Sequence, residues 1–280
     1  MDSNNGQTTE TAVRSLTAAR TLVRGANENM SDDIVVNLRG GTYPLASTFA
    51  LTNLDSGSNG FKVTWKAYGN ETPVLSGGRD VTGWATATVN GRTVWQASLS
   101  GASFPDGLRD LYVNGERRDR AKSEPMQPIG MLRGTTGGAN GLRVEVPGVS
   151  SFAVPADLEI QQQVVWRHYV LPVTAVTAVV GSPNQFDLAA PEAGQEWLSP
   201  DFVGFKSGHA VWLENAIELL DQPGEWYFDK ANSKIYYAPK AGEVINNVTV
   251  TVPVLERLFQ VTGTSTTMVR DLRVEGVTFE

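Results

Sequence analysis

The chain has 280 residues, which is long enough to bury a substantial core in one large all-β domain or in two smaller domains. Hydrophobic residues make up 41% and charged residues 19%, a globular balance that excludes wholesale disorder. The formal net charge of −7 argues against a nucleic-acid partner, since phosphate binding depends on a basic surface.

Several classes of site are also excluded by what the sequence lacks. Cysteine is absent, so disulfides and thiolate metal sites are not expected. His168 and His209 lie far apart and show no ligand spacing, so we expect neither a metal nor a cofactor. No apolar run reaches the ~18 residues of a membrane span. Residues 1–10 lack the features of a signal peptide, so an exported protein would need a targeting segment outside this sequence.

An amphipathic helix is predicted near the start of the chain. The apolar residues that share one helical face are Ala12, Leu16, Ala19 and Val23. Thr9 or Thr11 is the expected N-cap, and Gly25 is expected to end the helix. We expect this helix to cover the open end of a stacked β structure, because such an end otherwise exposes unpaired strand edges.

Short apolar strands with glycine-rich corners follow the helix and return at the end of the chain. They comprise residues 34–38, 48–51, 61–67 and 73–75, and then 248–252, 258–261 and 269–274. This texture is typical of the coils of a parallel β-helix, in which each turn stacks on the previous one. We therefore predict an all-β fold in which residues 1–78 and 248–280 belong to one right-handed parallel β-helix, and we expect the natural protein to continue beyond Glu280.

The intervening residues 79–247 have a different character. Asn-Gly occurs at 90–91, 114–115 and 140–141, and this pair supplies the positive φ angles of a type I′ hairpin turn. Residues 157–165 and 170–180 are expected to add two longer strands. Because hairpins join antiparallel strands, we predict an inserted antiparallel β-sandwich or barrel.

Particular segments resemble the N-terminal coils of bacterial β-helix glycoside hydrolases. These are residues 40–45, 64–68 and 73–78, together with 111–117, 220–229, 234–239 and 253–256 of the insertion and its exit. The chain is similar to glycoside hydrolase family 141 and, more distantly, to family 120, and Leu220–Pro239 carries the most specific likeness. The resemblance implies a pectin lyase-like β-helix acting on plant or host polysaccharide in the extracellular space or periplasm. It also implies that the catalytic carboxylates lie on later coils, beyond Glu280.

Two clusters in the insertion are candidates for carbohydrate binding, because sugars stack on aromatic faces and are oriented by planar polar groups. One cluster is Trp166, Arg167, His168 and Tyr169, and the other is Trp212, Glu214 and Asn215. The alternative is that both tryptophans point inward and form part of the core.

Strand alternation along 164–169 places Arg167 and Tyr169 on one face, with Trp166 and His168 on the other. A buried arginine without a partner is costly, so we expect Arg167 and Tyr169 to be exposed and Trp166 to be core.

Charged clusters complete the set of candidate residues. The acidic residues that qualify by type for glycoside hydrolysis, which needs two flanking carboxyl groups, are Glu214, Glu218, Asp221, Glu225 and Asp229. Glu214 and Glu218 would share a face if residues 214–220 were helical. The alternative for Glu225 is that its carboxylate accepts backbone N–H bonds in the Pro-Gly turn. The basic run 117–122 is interpreted as a solvated strand-and-turn face.

From these observations we expect the non-catalytic N-terminal part of an exported, polysaccharide-degrading glycoside hydrolase, whose insertion shapes the substrate cleft. Its partners are then a polysaccharide or oligosaccharide and the remaining β-helix of the same chain. The alternative is a non-enzymatic β-helix surface protein or adhesin that binds a glycan or another partner without cleaving it.

Overall fold

The structure, a computed structural model, describes residues 1–99, 101, 104, 107–132, 141–164, 167–190 and 209–280. The chain divides into two compact units. The first consists of Met1–Arg79 with Pro253–Glu280, and the second is Asp80–Val252. Strands dominate the structure, which confirms the all-β class.

One α-helix and 23 strands are named here in chain order. The helix α1 is Leu16–Arg24. The strands are β1 (Ile34–Leu38), β2 (Gly41–Pro44), β3 (Phe49–Thr52), β4 (Val63–Ala67), β5 (Pro73–Ser76), β6 (Gly78–Asp80), β7 (Ala85–Val89), β8 (Arg92–Ser98), β9 (Leu111–Val113), β10 (Glu116–Arg118), β11 (Gly130–Leu132), β12 (Gly141–Glu145), β13 (Glu159–Val164), β14 (Arg167–Pro172), β15 (Ala175–Ala178), β16 (Gln185–Ala189), β17 (Trp212–Glu214), β18 (Trp226–Asp229), β19 (Lys234–Tyr237), β20 (Val250–Pro253), β21 (Phe259–Thr262), β22 (Leu272–Glu275) and β23 (Thr278–Phe279).

The helix α1 begins later than its sequence pattern suggests. The side chain of Ser15 caps it by accepting a hydrogen bond from the backbone N–H of Ala18 at 3.1 Å. The expected N-caps Thr9 and Thr11 are therefore wrong. Thr11 is instead bonded locally to Thr8, and such short-range bonds compete with helix formation. Gly25 ends the helix as predicted.

Parallel pairing defines the first unit. Its three sheets have the strand orders β1–β4–β22, β2–β5–β23 and β21–β3, and neighbouring strands in each are parallel. In the first sheet Ile34 and Leu272 both pair with Val63. The three segments predicted to lie together, around residues 34–38, 61–67 and 269–274, therefore share one sheet even though the second unit separates them in sequence.

The core of the first unit lies inside these sheets. Leu51, Val63, Trp65 and Leu75 are almost fully buried, and α1 adds Leu16 and Val23 to the same cluster. The rings of Phe49 and Trp65 meet edge to face, with centroids 5.3 Å apart. Trp65 is thus a packing residue, as predicted.

Antiparallel pairing defines the second unit. The sheets β11–β12–β16–β15, β14–β13–β17 and β18–β19–β8–β7 contain neighbouring strands that run antiparallel. Strands β9 and β10 are also antiparallel, and β20 pairs antiparallel with β9. This part of the chain has the antiparallel character predicted for the insertion.

Two of the predicted hairpins are present. The turns between β7 and β8 and between β9 and β10 contain Asn90-Gly91 and Asn114-Gly115, and all four residues have positive φ, as a type I′ turn requires. Residue 140 of the third Asn-Gly pair lies outside the described residues. The prediction of one strand over 170–180 is wrong, because β14 ends at Pro172, which has no N–H to extend the ladder, and β15 belongs to another sheet.

Within the described ranges, no helix has the length and apolar character that crossing a membrane requires.

Candidate functional site

The two faces of the sheet β14–β13–β17 differ: one packs into the core of the second unit and the other carries charged and polar side chains. Side chains alternate along its central strand, so Ile160 lies in the core cluster of the second unit while Glu159 and Gln161 point the other way. Glu159 pairs with Glu214 and Gln161 pairs with Trp212 in β17. Gln163 pairs with His168 in β14. We call Glu159, Gln161, His168, Trp212 and Glu214 the polar face.

Two aromatic rings from the outer strands of this sheet meet on the polar face. The rings of His168 and Trp212 stack with centroids 5.6 Å apart and planes inclined by 29°. His168 is exposed and Trp212 is half-buried, so Trp212 is not a core residue. The indole N–H of Trp212 donates a hydrogen bond to Oε1 of Glu214 at 2.8 Å. A flat ring surface and an accepting carboxylate therefore lie side by side.

The buried side chain of Arg120 contacts both carboxylates of the polar face. Nη1 of Arg120 lies 2.8 Å from Oε2 of Glu159 and 3.5 Å from Oε2 of Glu214, and the guanidinium stands over the ring of Trp226. Arg109 contacts the same oxygen of Glu159 at 2.5 Å. Gln161 donates to Oε2 of Glu214 at 3.1 Å.

These contacts determine the ionisation of Glu159. Burial acts to raise the pKa of its carboxyl, but the hydrogen bond from Arg120 and the charges of Arg120 and Arg109 outweigh it, so the pKa lies below its ordinary value. Glu159 is therefore an ionised partner of Arg120 at neutral pH. Both carboxylates, of Glu159 and of Glu214, contact the same nitrogen of Arg120.

The interpretation of residues 117–122 as a solvated basic face is wrong at two positions. Arg118 and Arg120 are 8% and 7% exposed. Arg118 contacts Glu116 at 2.6 Å and Glu243 at 2.9 Å, so both arginines are buried with carboxylate partners. Their burial is tolerated because these partners neutralise the charge.

The predicted cluster at 166–169 is arranged differently from the expectation. Strand β13 ends at Val164 and β14 begins at Arg167, and these two residues pair in antiparallel strands. A single alternation therefore does not run from residue 164 to residue 169, and His168 is exposed while Tyr169 packs against the core cluster. Trp166 lies outside the described residues, and the expected role of the Arg167 side chain stays a prediction.

Asn215 does not join the polar face. It is fully buried, with positive φ, and its side-chain amide donates to the backbone oxygens of Asp157 at 3.0 Å and Phe228 at 3.3 Å. Its side-chain oxygen accepts from the backbone N–H of Phe228. The polar atoms of the Asn215 side chain are therefore bonded to the backbone, and its expected binding role stays a prediction.

The acidic cluster does not form a catalytic pair on a helix. Glu214 ends strand β17, and Glu218 lies in a separate 3-10 turn, Ile217–Leu219, so the two do not share a helix face. Glu218 accepts from the backbone N–H of Ala153 at 2.7 Å. Asp229 accepts from the backbone and side chain of Asn232.

Glu225 lies at a cavity of about 760 Å³ in the second unit, which we call the Glu225 cavity. Its Oε2 accepts backbone N–H bonds from Asp221 at 3.2 Å and Gln222 at 3.1 Å, as the turn interpretation predicts. Burial raises the pKa of Glu225 to about 7; the backbone N–H bonds act against this rise and the charge of Asp221 adds to it.

Among the described residues, no group of three or more His, Asp or Glu side chains is arranged to hold a metal ion. The polar face offers ring stacking and hydrogen bonding, which is the chemistry of sugar recognition.

Sequence reasoning identified His168, Trp212 and Glu214 but missed Arg120, Glu159 and Gln161. The alternation Leu158-Glu159-Ile160-Gln161 carried the missing signal, because it places two polar side chains on one face of a strand whose other face is apolar. The identity of the arginine partner had no local signal.

Comparisons with known proteins agree with this description. The family model described as "GH141 insertion domain" matches residues 93–240, just over half of the chain. A solved structure described as "Glycoside hydrolase" is similar at a TM-score of 0.78 and 26% identity, and the match covers 100% of this chain and 49% of that chain. The chain thus spans about half of the length of that protein.

A second solved structure, described as "The complex structure of XylC with xylose", matches at 13% identity and a TM-score of 0.28, covering 76% of this chain and 30% of that one. Likeness at that level carries no structural argument. No curated protein matches the chain. The family model and the first structure together show that the chain is a glycoside hydrolase-related protein and belongs to the family defined by the GH141 insertion domain.

Proposed function

We propose that the chain is the non-catalytic N-terminal part of an exported, polysaccharide-degrading glycoside hydrolase, and that its insertion helps to shape the substrate cleft. The observation that carries this proposal is the ring pair of Trp212 and His168 beside Glu214, within a domain that matches the GH141 insertion domain. The place of action is extracellular or periplasmic.

The first unit is proposed to be the beginning of a right-handed parallel β-helix, capped by α1. Three parallel sheets support this, since equivalent strands of successive passes pair in each of them. The β-helix in this proposal comprises residues 1–78 and the C-terminal strands β21, β22 and β23. Residues 248–252 were also expected there, but β20 pairs antiparallel with β9, so these residues are assigned with Asp80–Val252 to the inserted sandwich or barrel.

Further coils of the same chain are proposed to stack on the outer strands β21, β22 and β23. Each of these strands lies at an edge of its sheet among the described strands. Val261, Val274 and Phe279 expose large apolar side chains there. Covering them would remove apolar surface from water and pair free strand edges.

The polar face is proposed to contact sugar. A sugar ring can stack on the exposed ring of His168 and the neighbouring indole of Trp212, while Glu214, whose side chain is 18% exposed, accepts hydrogen bonds from hydroxyl groups. Glu159 and Arg120 hold Glu214 and Gln161 in position. The catalytic carboxylates are proposed to lie on later coils, beyond Glu280.

Kinetics of the full-length parent protein on plant and host polysaccharides test this proposal. Trp212→Ala is expected to raise KM about fivefold with little change in kcat, because ring stacking is worth about 1 kcal/mol and contributes to binding rather than to chemistry. Trp212→Phe keeps a ring and serves as the matched control, with a smaller effect on KM.

Other results would contradict parts of the proposal. A loss of kcat at constant KM in Trp212→Ala would assign the insertion to the chemical step. Unchanged kinetics would make the polar face purely structural. Glycan binding without hydrolysis by the full-length protein would identify a non-enzymatic surface protein instead.

A further inference from the structure

The Glu225 cavity is separate from the polar face and differs from it in chemistry. Its volume of about 760 Å³ falls within the range of small-molecule sites. Apolar side chains form much of its wall, among them Met126, Val149, Leu219 and Pro223. None of the residues that line it in the described part of the chain is aromatic, so it lacks the stacking surface that favours a sugar ring.

A fixed carboxyl group lies in this cavity. Glu225 is only 4% exposed, and the backbone N–H groups of Asp221 and Gln222 hold its Oε2. The turn that supplies these groups contains Gly224 at φ 95°, a backbone conformation that favours glycine. The direction of the carboxyl is therefore set by the backbone and does not depend on a ligand.

The cations around the cavity are largely neutralised by other partners. Arg117 contacts Asp110 at 2.6 Å, and Lys122 contacts Asp119 at 3.1 Å. Arg118 is held by Glu116 and Glu243, and the charge of Lys240 acts on Glu116.

The carboxylates that line the cavity have fewer oppositely charged partners than the cations do. Glu124 and Asp221 are exposed at the cavity, and neither they nor Glu225 form an ion pair with any described residue. A cavity with excess negative charge and an apolar wall is complementary to a cation on an apolar body.

We propose that the Glu225 cavity binds an organic ammonium cation, a protonated primary amine on an apolar body, whose nitrogen forms an ion pair with the carboxylate of Glu225. The ligand enters protonated, and Glu225 is ionised in the complex. Because burial raises the pKa of Glu225 to about 7, binding at pH 6 requires this carboxyl to release its proton to the solvent, whereas binding at pH 8 does not.

The other charged residues that line the cavity are Arg117, Arg118, Asp119, Lys122, Glu124, Glu145, Asp221 and Lys240.

The test is a ligand-observed NMR titration of the 280-residue chain with n-pentylamine and with 1-pentanol, which has the same apolar body without the charge. The amine is expected to bind at pH 8 at least about tenfold more tightly than the alcohol, because a buried charge-assisted contact is worth about a factor of ten or more. Its affinity is expected to fall between pH 8 and pH 6, and that of the alcohol is expected to stay constant.

Glu225→Gln is expected to reduce amine affinity about tenfold and to leave alcohol binding unchanged. Glu28→Gln, at an exposed position in the first unit, is the matched control and should bind like the wild type. Equal affinity for amine and alcohol, absence of amine binding, or wild-type affinity in a folded Glu225→Gln would each overturn the proposal. If Glu225→Gln does not fold, the titrations of the wild type with the amine and the alcohol at pH 6 and pH 8 test the proposal by themselves.

Discussion

Trp212 and Glu214 stand two residues apart on one face of β17, and the indole N–H of the first donates to the carboxylate of the second at 2.8 Å. This bond fixes the ring next to an acceptor that Gln161 and Arg120 also contact. The polar face is therefore organised before any ligand arrives, which reduces the entropy lost on binding.

The two carboxylates of the polar face are expected to differ in their effect on stability. Glu159→Gln should lower the free energy of unfolding by about 3 kcal/mol, because it removes the closer partner of a buried arginine. Glu214→Gln should cost only about 1 kcal/mol, since Glu214 is more exposed and 3.5 Å from Arg120. Urea unfolding of both variants measures the difference; equal losses would contradict the structural role assigned to Glu159.

Lowering the pH should remove the contribution of the ion pair between Glu159 and Arg120 to the free energy of unfolding. The folded-state pKa of Glu159 lies below its unfolded value of 4.5, so its contribution to stability is present above pH 4.5 and is lost as the pH falls through the folded-state pKa. The wild type is expected to lose more stability than Glu159→Gln between pH 5 and pH 3. The unfolding free energies of the wild type and of Glu159→Gln should therefore converge from pH 5 to pH 3. Parallel pH dependences of the two proteins would contradict the stabilising role of the ion pair.

The ionisation of Glu225 is expected to make stability depend on pH in the opposite direction. Its pKa is about 7 in the folded protein and 4.5 in the unfolded chain, so the folded state holds the proton more tightly and stability falls as the pH rises from 4.5 to 7. The loss is expected to be roughly 2 to 3 kcal/mol. Glu225→Gln should remove this slope and Glu28→Gln should retain it, which denaturant unfolding at pH 5 and pH 8 can measure. A slope that survives in Glu225→Gln would assign the effect to another group.

Close backbone approach in the first unit predicts a glycine requirement. A Cβ atom at Gly57 would clash with the carbonyl oxygen of Phe61, and the backbone would have to move to relieve the clash. Gly57→Ala is therefore expected to cost about 2 to 3 kcal/mol. Gly25→Ala is the control, since its φ is −77° and its new Cβ would lie 3.5 Å from the nearest atom, so its effect should stay within about 0.5 kcal/mol. Similar thermal unfolding of both variants would contradict the close approach of Gly57 to Phe61.

Local chemistry explains which parts of the fold were predictable from sequence. The hairpins at Asn90-Gly91 and Asn114-Gly115 depend on φ angles that two adjacent residues determine. The sheet shared by β1, β4 and β22 was predictable because Ile34–Leu38 and Val63–Ala67 carry a clear strand pattern. Residues 250–253 share that apolar texture, yet β20 pairs antiparallel with β9, because the texture of a strand does not specify its neighbour.

The candidate site was predictable only in part, because local sequence does not specify which distant residues come into contact. Trp212 and Glu214 stood out by residue type, but Arg120 finds its carboxylates 39 and 94 residues away, and no local pattern encodes such pairs. The orientation of Tyr169 was predicted wrongly, because β13 and β14 are separate antiparallel strands and a single alternation over residues 164–169 does not hold.

The most direct test of the central claim is a calorimetric titration of the 280-residue chain and its Trp212→Ala variant with oligosaccharides from plant and host polysaccharides. We expect at least one oligosaccharide to bind without being cleaved, and Trp212→Ala to weaken this binding about fivefold while the fold is retained. Equal affinity in the folded Trp212→Ala variant, or hydrolysis that Glu214→Gln or Glu225→Gln abolishes, would contradict it.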